Sequence, residues 1–362
     1  MELKLKNNLL TGKNNCIMKI KNIFGAVLIF AAMFSCSTES PIDELPIETS
    51  LITLHFTVGK EVNTKATYNY TTDDEKIISN YVIAIFAKKT SDSEEQWSKK
   101  IWSEFKSIES TNGTFNVSGI TLPIKTTLKI VALVNDPRDS KDGTINDDNA
   151  EGWATYADWQ KGSTLHAGQS DGQSYCTFDP KKLIKVGEAE MRFNKSGQLI
   201  DENDQVVGGT VAIQLTQLAA KVCLQLQKDE SMAFLVVKNP IEINNVRLSS
   251  GLLNNDFSNI KEDNYEYSLK GNETIENIVF YTYEKPHSSG LQVVINAEGT
   301  LTGSSGSKEN QYKLDLDPEN GFMRGNYYQI SGILKMEDKV NSNLRYVVSP
   351  WTPKDVNIPS FN

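Results

Sequence analysis

At 362 residues the chain is longer than one small module, and its length favours two domains. Thirty-seven Lys and Arg against 46 Asp and Glu leave a net charge of −9, which excludes a general binder of phosphate backbones. The 39% hydrophobic and 23% charged content is that of a globular protein, and three histidines and four cysteines offer little for a metal centre or a thiol relay.

The chain opens with an address. Lys19 and Lys21 precede an apolar run over residues 23–33. That run is shorter than the roughly 18 apolar residues needed to cross a bilayer, so it reads as the hydrophobic region of a signal peptide. Met18 heads this basic segment, and translation starts at either Met1 or Met18. Met33, Phe34 and Ser35 then lead into Cys36 in the manner of a bacterial lipobox, which makes Cys36 the expected lipidation site. The other reading is a chance cysteine after a simple secretory signal, but no better small-residue cleavage site follows. Residues 1–35 are thus expected to be a leader, and residues 36–50 an acidic tether broken by Pro41 and Pro46. Lys4, Lys6, Lys13, Lys19 and Lys21 against Glu2 give the leader a charge of +4, so its removal takes −9 to −13. Cys176 and Cys223 would then be the unmodified cysteines, and an oxidising compartment would permit but not require their pairing.

Hydrophobic period two dominates the rest of the chain. In residues 51–58, Ile52, Leu54, Phe56 and Val58 share one face of a strand while Thr53, His55 and Thr57 share the other. Residues 82–87 and 128–134 are continuous apolar runs, which fit strands buried on both faces. Further strands are expected over residues 211–215, 221–227, 278–283, 291–297, 312–316, 327–334 and 345–348. Turn signals separate them, among them Asn112-Gly113, Ser196-Gly197, Gly208-Gly209 and Ser304-Ser305-Gly306. Helical patterns are short and confined to residues 73–79, 154–160 and 180–185. Many strands without long intervening helices predict antiparallel sandwiches, and a boundary near residues 208–218 divides the chain into residues 51–215 and 216–362.

Catalytic and metal-binding signatures are missing from this pattern. The oxygen-rich loop over residues 135–152 lacks the spacing of a calcium-binding EF-hand and reads as a solvated loop. His55, His166 and His287 lie far apart and outside any metal-binding frame. Neither a nucleophile elbow nor a phosphate loop is present, and adjacent acids such as Asp147 and Asp148 define no hydrolytic pair. No enzyme activity, metal or cofactor is expected.

Several segments, taken in order, resemble the fimbrillin family, the subunits of type V pili. They are the first strand with Thr64-Lys65-Ala66, residues 77–86, 128–135 and 215–224, then Gly325-Asn326-Tyr327-Tyr328-Gln329-Ile330, and finally Val347 to Pro350-Trp351. The resemblance spans the chain and joins the lipobox at Cys36. It implies an all-β fold of two tandem transthyretin-like antiparallel β-sandwich domains. It also implies a pilus subunit exported as a lipoprotein to the outer membrane, cut by a surface protease between Lys65 and Ala66, and polymerised by strand exchange. The strand lost on cutting would be the one holding Ile52, Leu54, Phe56 and Val58. The donor would lie near the C-terminus, with Val347, Trp351, Val356, Ile358 and Phe361 as plugs. Such a strand binds by backbone ladder and alternate side-chain pockets.

Lysine stands at position 65 where the family usually has arginine, so a strictly arginine-directed protease would leave the first strand in place. The chain would then be a lipid-anchored adhesin that does not polymerise. Another reading is a glycan-binding lipoprotein using Trp97, Trp102, Trp153 and Trp159 as sugar-stacking platforms, and a third is a hydrolase with an unrecognised site. The expected partners are other pilus subunits, the outer membrane through Cys36, a surface protease and a host or bacterial receptor, with no nucleic acid.

Overall fold

The computed structural model of the chain describes residues 49–58, 72–88, 99–123, 126–136, 155–161, 163–165, 178–252, 262–269, 277–336 and 344–351. Cys36, Lys65, Ala66, Trp97, Trp153, His166, Cys176, Val356, Ile358 and Phe361 lie outside the described residues.

Alternation in the first strand becomes one-sided burial. In β1 (Thr49–Val58), Ile52, Leu54, Phe56 and Val58 are buried, whereas Thr53, His55 and Thr57 are half-buried. β1 is flanked on both sides, by β4 (Thr114–Pro123) in antiparallel register and by β9 (Thr210–Gln217) in parallel register. The facing sheet runs β3 (Lys99–Ser110), β2 (Ile78–Lys88), β5 (Thr127–Val134), β7 (Lys185–Phe193). The two sheets join where β7 and β9 pair only at Lys185–Gln217 and Val186–Thr216. Gly187 follows this contact, and a Cβ there would sit 2.8 Å from the Ile213 side chain, so only glycine admits the close approach. The β1 quartet packs between the sheets against Ile83, Ile85, Ile130 and Ala132.

The continuous apolar runs behave as two-sided strands. Tyr81, Ile83 and Ile85 of β2 face the first core, while Val82, Ala84 and Phe86 face a second hydrophobic cluster. That second layer includes Tyr156 and Trp159 of α2 (Tyr156–Lys161), then Phe178, Leu183 and Ile184. It continues through Tyr281 and Tyr283 into the C-terminal half, so the two halves share buried surface.

The change of sheet falls at Leu218, between β9 and β10 (Ala219–Lys228). The C-terminal sandwich has one sheet in the order β15 (Ile278–Tyr283), β10, β18 (Asn326–Leu334), β19 (Arg345–Pro350). In the other, β16 (Gln292–Leu301) is central, with β17 (Lys308–Asp315) on one side. Its other side pairs successively with β11 (Met232–Val237) and β12 (Ile241–Arg247), and β12 carries β14 (Glu262–Tyr267) at its far edge. Among the short strands, β8 (Leu199–Ile200) pairs with β7, and β6 (Ser163–Leu165) pairs with β13 (Ser249–Gly251). The architecture is the expected β-sandwich pair with few short helices, here α1 (Asp73–Lys76), α2 and a 3₁₀ turn at Pro180–Lys182 among the described residues. Among the described residues antiparallel pairing has two exceptions. β1 and β9 run parallel, as do β10 and β18, so the opening strand of each half lies beside a late strand of that half.

Candidate functional site

The two segments that the sequence marks for strand exchange differ in how they are held. β1 is a central strand with hydrogen bonds on both sides and four side chains no more than 3% exposed. Burial of each such side chain stabilises by about 1.5–3 kcal/mol before ordering entropy is counted. β19 is an edge strand paired only with β18 among the described residues, and Val347 and Val348 on it are 56% and 49% exposed. Tyr346 packs partly against the core, and its hydroxyl accepts from the Asp317 backbone N–H at 3.0 Å. Beyond its ladder to β18, β19 is anchored at its end by Trp351.

Trp351 is fully buried. Its backbone N–H donates to the Gly325 carbonyl at 2.6 Å, and its ring stacks on Tyr281 at 5.6 Å between centroids. Gly325 has φ +65°, and a Cβ there would meet the Thr216 side chain at 2.6 Å, which fixes glycine at this turn. The Trp351 indole N–H points at Glu75 Oε2, 3.3 Å away.

Glu75 is the hub of this junction. It lies in α1, the first described element after the segment that contains Lys65, and its side chain is entirely buried. Thr72 starts the helix, and its backbone N–H donates to Glu75 Oε2 at 2.7 Å, one half of a capping box. The other oxygen receives the Lys221 ammonium at 2.7 Å and the Tyr281 hydroxyl at 2.6 Å. A buried carboxylate is tolerated only when paired and hydrogen-bonded, and this one has both kinds of partner. The Lys221 ammonium also lies 5.8 Å from the Trp351 ring and 5.9 Å from Tyr327, over the negative faces of both. Gln217 Nε2 donates to the Glu75 carbonyl at 3.0 Å, tying α1 to the end of β9.

Lys185, at the β7–β9 contact, is buried nearby. Its ammonium donates to the carbonyls of Leu183 at 2.9 Å and Ile77 at 3.2 Å. Burial lowers its pKa to about 7, and the Glu75 charge opposes that shift in part. Below the junction, Arg324 pairs with buried Glu284 at 2.6 Å and also donates to the carbonyls of Gly251 and Leu252. These contacts fix the turn that presents Gly325 to Trp351.

The structure therefore gathers at one point the residue that ends β19 and the helix that follows the Lys65 segment. Sequence reasoning singled out Trp351 but missed Glu75, Lys221 and Tyr281. Two signals pointed to them: Thr72 three residues before Glu75, and a lysine at 221 inside the otherwise apolar run of β10.

The remaining candidates lie elsewhere in the fold. Trp159 is fully buried in the second core layer and so cannot be a surface sugar platform, while Trp102 is half-buried against the first core. His55 bonds to Asn116 at 2.6 Å on the outer face of β1, and His287 is exposed beside Asp317. Cys223 is buried in β10 with a free thiol. Asn135 and Asp136 begin the long loop as buried structural residues, with Asn135 bonded to Ser79, Ile77 and Leu183. Among the described residues no three His, Cys, Asp or Glu side chains are grouped to hold a metal ion, and no helix is long and apolar enough to cross a membrane.

No protein-family profile matches the chain. The chain is 25% identical over 356 residues to a Parabacteroides distasonis protein named as a candidate fimbrium tip subunit, Fim1F, covering 92% of this chain and 96% of that one. Its fold is similar to the crystal structure of a candidate cell adhesion protein from Parabacteroides distasonis, at TM-score 0.52 and 13% identity, over 82% of this chain and 96% of that one. A candidate cell adhesion protein from Bacteroides eggerthii gives TM-score 0.50 and 14% identity, over 83% of this chain and 95% of the other. The fimbrillin-like character expected from the sequence motifs agrees with the similarity to the fimbrium tip subunit, which covers 92% of this chain, and the two crystal structures share its fold.

Proposed function

We propose that the chain is a subunit of a cell-surface fimbria that serves adhesion and acts without catalysis. Its similarity to a fimbrium tip subunit along 92% of its length is the observation that carries this reading. In the proposed route Cys36 is acylated and holds the chain at the outer membrane, and a surface protease then cuts between Lys65 and Ala66. Loss of β1 opens a long apolar groove lined by the former neighbours of Ile52, Leu54, Phe56 and Val58. A C-terminal strand of another subunit, with plugs corresponding to Val347, Trp351, Val356, Ile358 and Phe361, refills it by β-augmentation. The edge position of β19 and the exposure of Val347 and Val348 support its role as the strand that leaves.

A second reading, a lipid-anchored adhesin that does not polymerise, is favoured by Lys65 and by the complete seating of β1 between β4 and β9. The N-terminus of the chain recovered from outer-membrane and sheared-surface fractions decides between them. A start at Ala66 in sheared fimbriae is the expected result. A start only at acylated Cys36, with no chain in the fimbrial fraction, overturns the polymerising route in favour of the second reading.

A further inference from the structure

The outer face of the C-terminal sandwich carries a groove of about 870 Å³ that the assembly reading does not use. It forms because β11 and β12 pair end to end along the same edge of β16; Lys238 N–H still donates to the Asn296 carbonyl at 2.7 Å, and the ladder breaks after it, at Asn239 and Pro240. Residues two apart on a strand share a face, so Val294, Asn296, Glu298 and Thr300 of β16 lie on the face opposite the core residues Val293, Ile295 and Ala297, with Asn296 and Glu298 half-buried and Val294 and Thr300 buried. Register then fixes their neighbours. Val294 lies between Lys313 and Glu242, Asn296 beside Gln311, Glu298 between Glu309 and Val236, and Thr300 beside Phe234.

This face has three properties in combination. At its centre are carboxamides, with Gln311 Nε2 donating to Asn296 Oδ1 at 3.0 Å, and each amide both donates and accepts. Its charges are balanced locally: Lys238 is ion-paired with Glu309, and Lys313 is matched by Glu242 across Val294. Beyond the groove's lining, on the same face of the sheet, Phe234 and Val236 are 43% and 58% exposed beside Thr300 and Glu298. Balanced charge gives no field to attract an anion, and Glu298 beside the groove adds repulsion. Paired amides match adjacent hydroxyls, and an exposed aromatic ring matches the C–H face of a pyranose.

We propose that this groove and the face beside it bind a neutral oligosaccharide, with Asn296 and Gln311 in the groove holding hydroxyls and Phe234 beyond it stacking on a further sugar ring. The inference rests on the adhesive reading above and gives its receptor a chemical class. It moves the carbohydrate contact from the tryptophans of the N-terminal half to the outer face of β11, β16 and β17.

The test is retention of the full chain on an array of neutral oligosaccharides built from glucose, mannose, galactose and N-acetylglucosamine, with sialylated and sulfated oligosaccharides and acidic peptides alongside. Binding to at least one neutral series is expected, weakened about tenfold or more by Gln311→Ala and by Phe234→Ala. Both side chains are exposed, so the unfolding midpoint of each variant should match that of the parent. Absence of neutral binding, binding only of anionic probes, or neutral binding indifferent to both substitutions overturns the proposal. Recovery of the chain in sheared fimbriae is read separately. A fimbrial chain without groove-dependent binding removes this inference alone, and groove-dependent binding by a chain absent from fimbriae removes the pilus reading alone.

Discussion

Trp351 and Glu75 lie 276 positions apart, and the indole N–H of one donates to the buried carboxylate of the other at 3.3 Å. The contact links the end of the C-terminal edge strand to the first helix after the Lys65 segment. Both ends of the proposed assembly cycle therefore meet one ion-paired hub, completed by Lys221 and Tyr281. Whatever displaces Trp351 withdraws a donor and a stacking surface from that hub, and whatever moves α1 removes the acceptor that holds Trp351.

Truncating this anchor should loosen β19 before it unfolds the domain. Trp351→Ala removes a fully buried ring stacked on Tyr281 and is expected to cost about 3–5 kcal/mol. Hydrogen exchange should show the loss first in the β18–β19 ladder, at the amides of residues 345–349, with the β10–β15 ladder protected longer. Equal loss in both ladders would mean that Trp351 supports the whole sandwich and is not a specific latch for its edge.

Neutralising the hub should be worse than neutralising a surface pair. Glu75→Gln removes the carboxylate paired with the buried Lys221 ammonium, which costs about 3–5 kcal/mol in comparable buried pairs. Lys221→Met added to that variant should recover part of the loss, because it removes the buried charge that Glu75 had offset. Denaturant melts of the two single variants and the double variant form the cycle that reads it. A double variant no more stable than Glu75→Gln would place the cost in the Tyr281 and Trp351 hydrogen bonds instead.

Lys185 gives the junction a pH dependence with a defined sign. Its folded pKa, lowered to about 7, lies below the ordinary lysine value of 10.5, so between these limits the unfolded chain binds a proton that the folded one does not. Stability therefore rises with pH through this window, by at most about 1.4 kcal/mol per unit from this group. Below about pH 7 both states are protonated and the penalty of the buried charge is fully present. Lys185→Met should flatten the rise between about pH 7 and pH 10.5 in urea midpoints. An unchanged slope would assign the rise to other groups.

Much of this fold is legible in the sequence because its strands are either strictly alternating or continuously apolar. β1, β2, β5, β10, β15 and β18 follow that rule, and the two-sided burial of β2 and β5 follows from their uninterrupted runs. β3 and β7 escape it. Lys100, Ser103, Glu104 and Lys106 mask the pattern of a half-exposed edge strand, and β7 alternates with glutamates at 188 and 190. The parallel pairings are invisible because period two carries no information on strand direction. The hub is hidden for another reason. Its members come from α1, β10, β15 and the end of β19, so no local window contains two of them.

The position of Trp351 separates two C-terminal truncations. Removing residues 346–362 deletes the anchor together with β19, and the chain should lose stability as Trp351→Ala does. Removing residues 352–362 leaves Trp351 and the described β19 in place while deleting Val356, Ile358 and Phe361. The shorter deletion should keep the Trp351 anchor but form no SDS-resistant oligomers. Oligomers formed by that variant would exclude the three deleted residues as necessary plugs.

Cleavage at Lys65 should not by itself release β1. The strand keeps two hydrogen-bonded ladders and a buried apolar quartet, and none of these bonds is the peptide bond that is cut. A nicked chain should retain the strand until another strand displaces it, so the groove would not stand open in solution. The chain beginning at Ala66 and lacking β1 should be unstable or aggregated, since four side chains worth about 1.5–3 kcal/mol each lose their burial. Adding a synthetic peptide of residues 49–58 should raise its unfolding midpoint in proportion to the logarithm of peptide concentration. The same peptide with Leu54→Asp and Phe56→Asp should fail, because it places charges at the two positions most deeply enclosed by the facing sheet. Equal rescue by both peptides would show that backbone pairing alone holds the strand, and the side-chain quartet would lose its role in strand exchange.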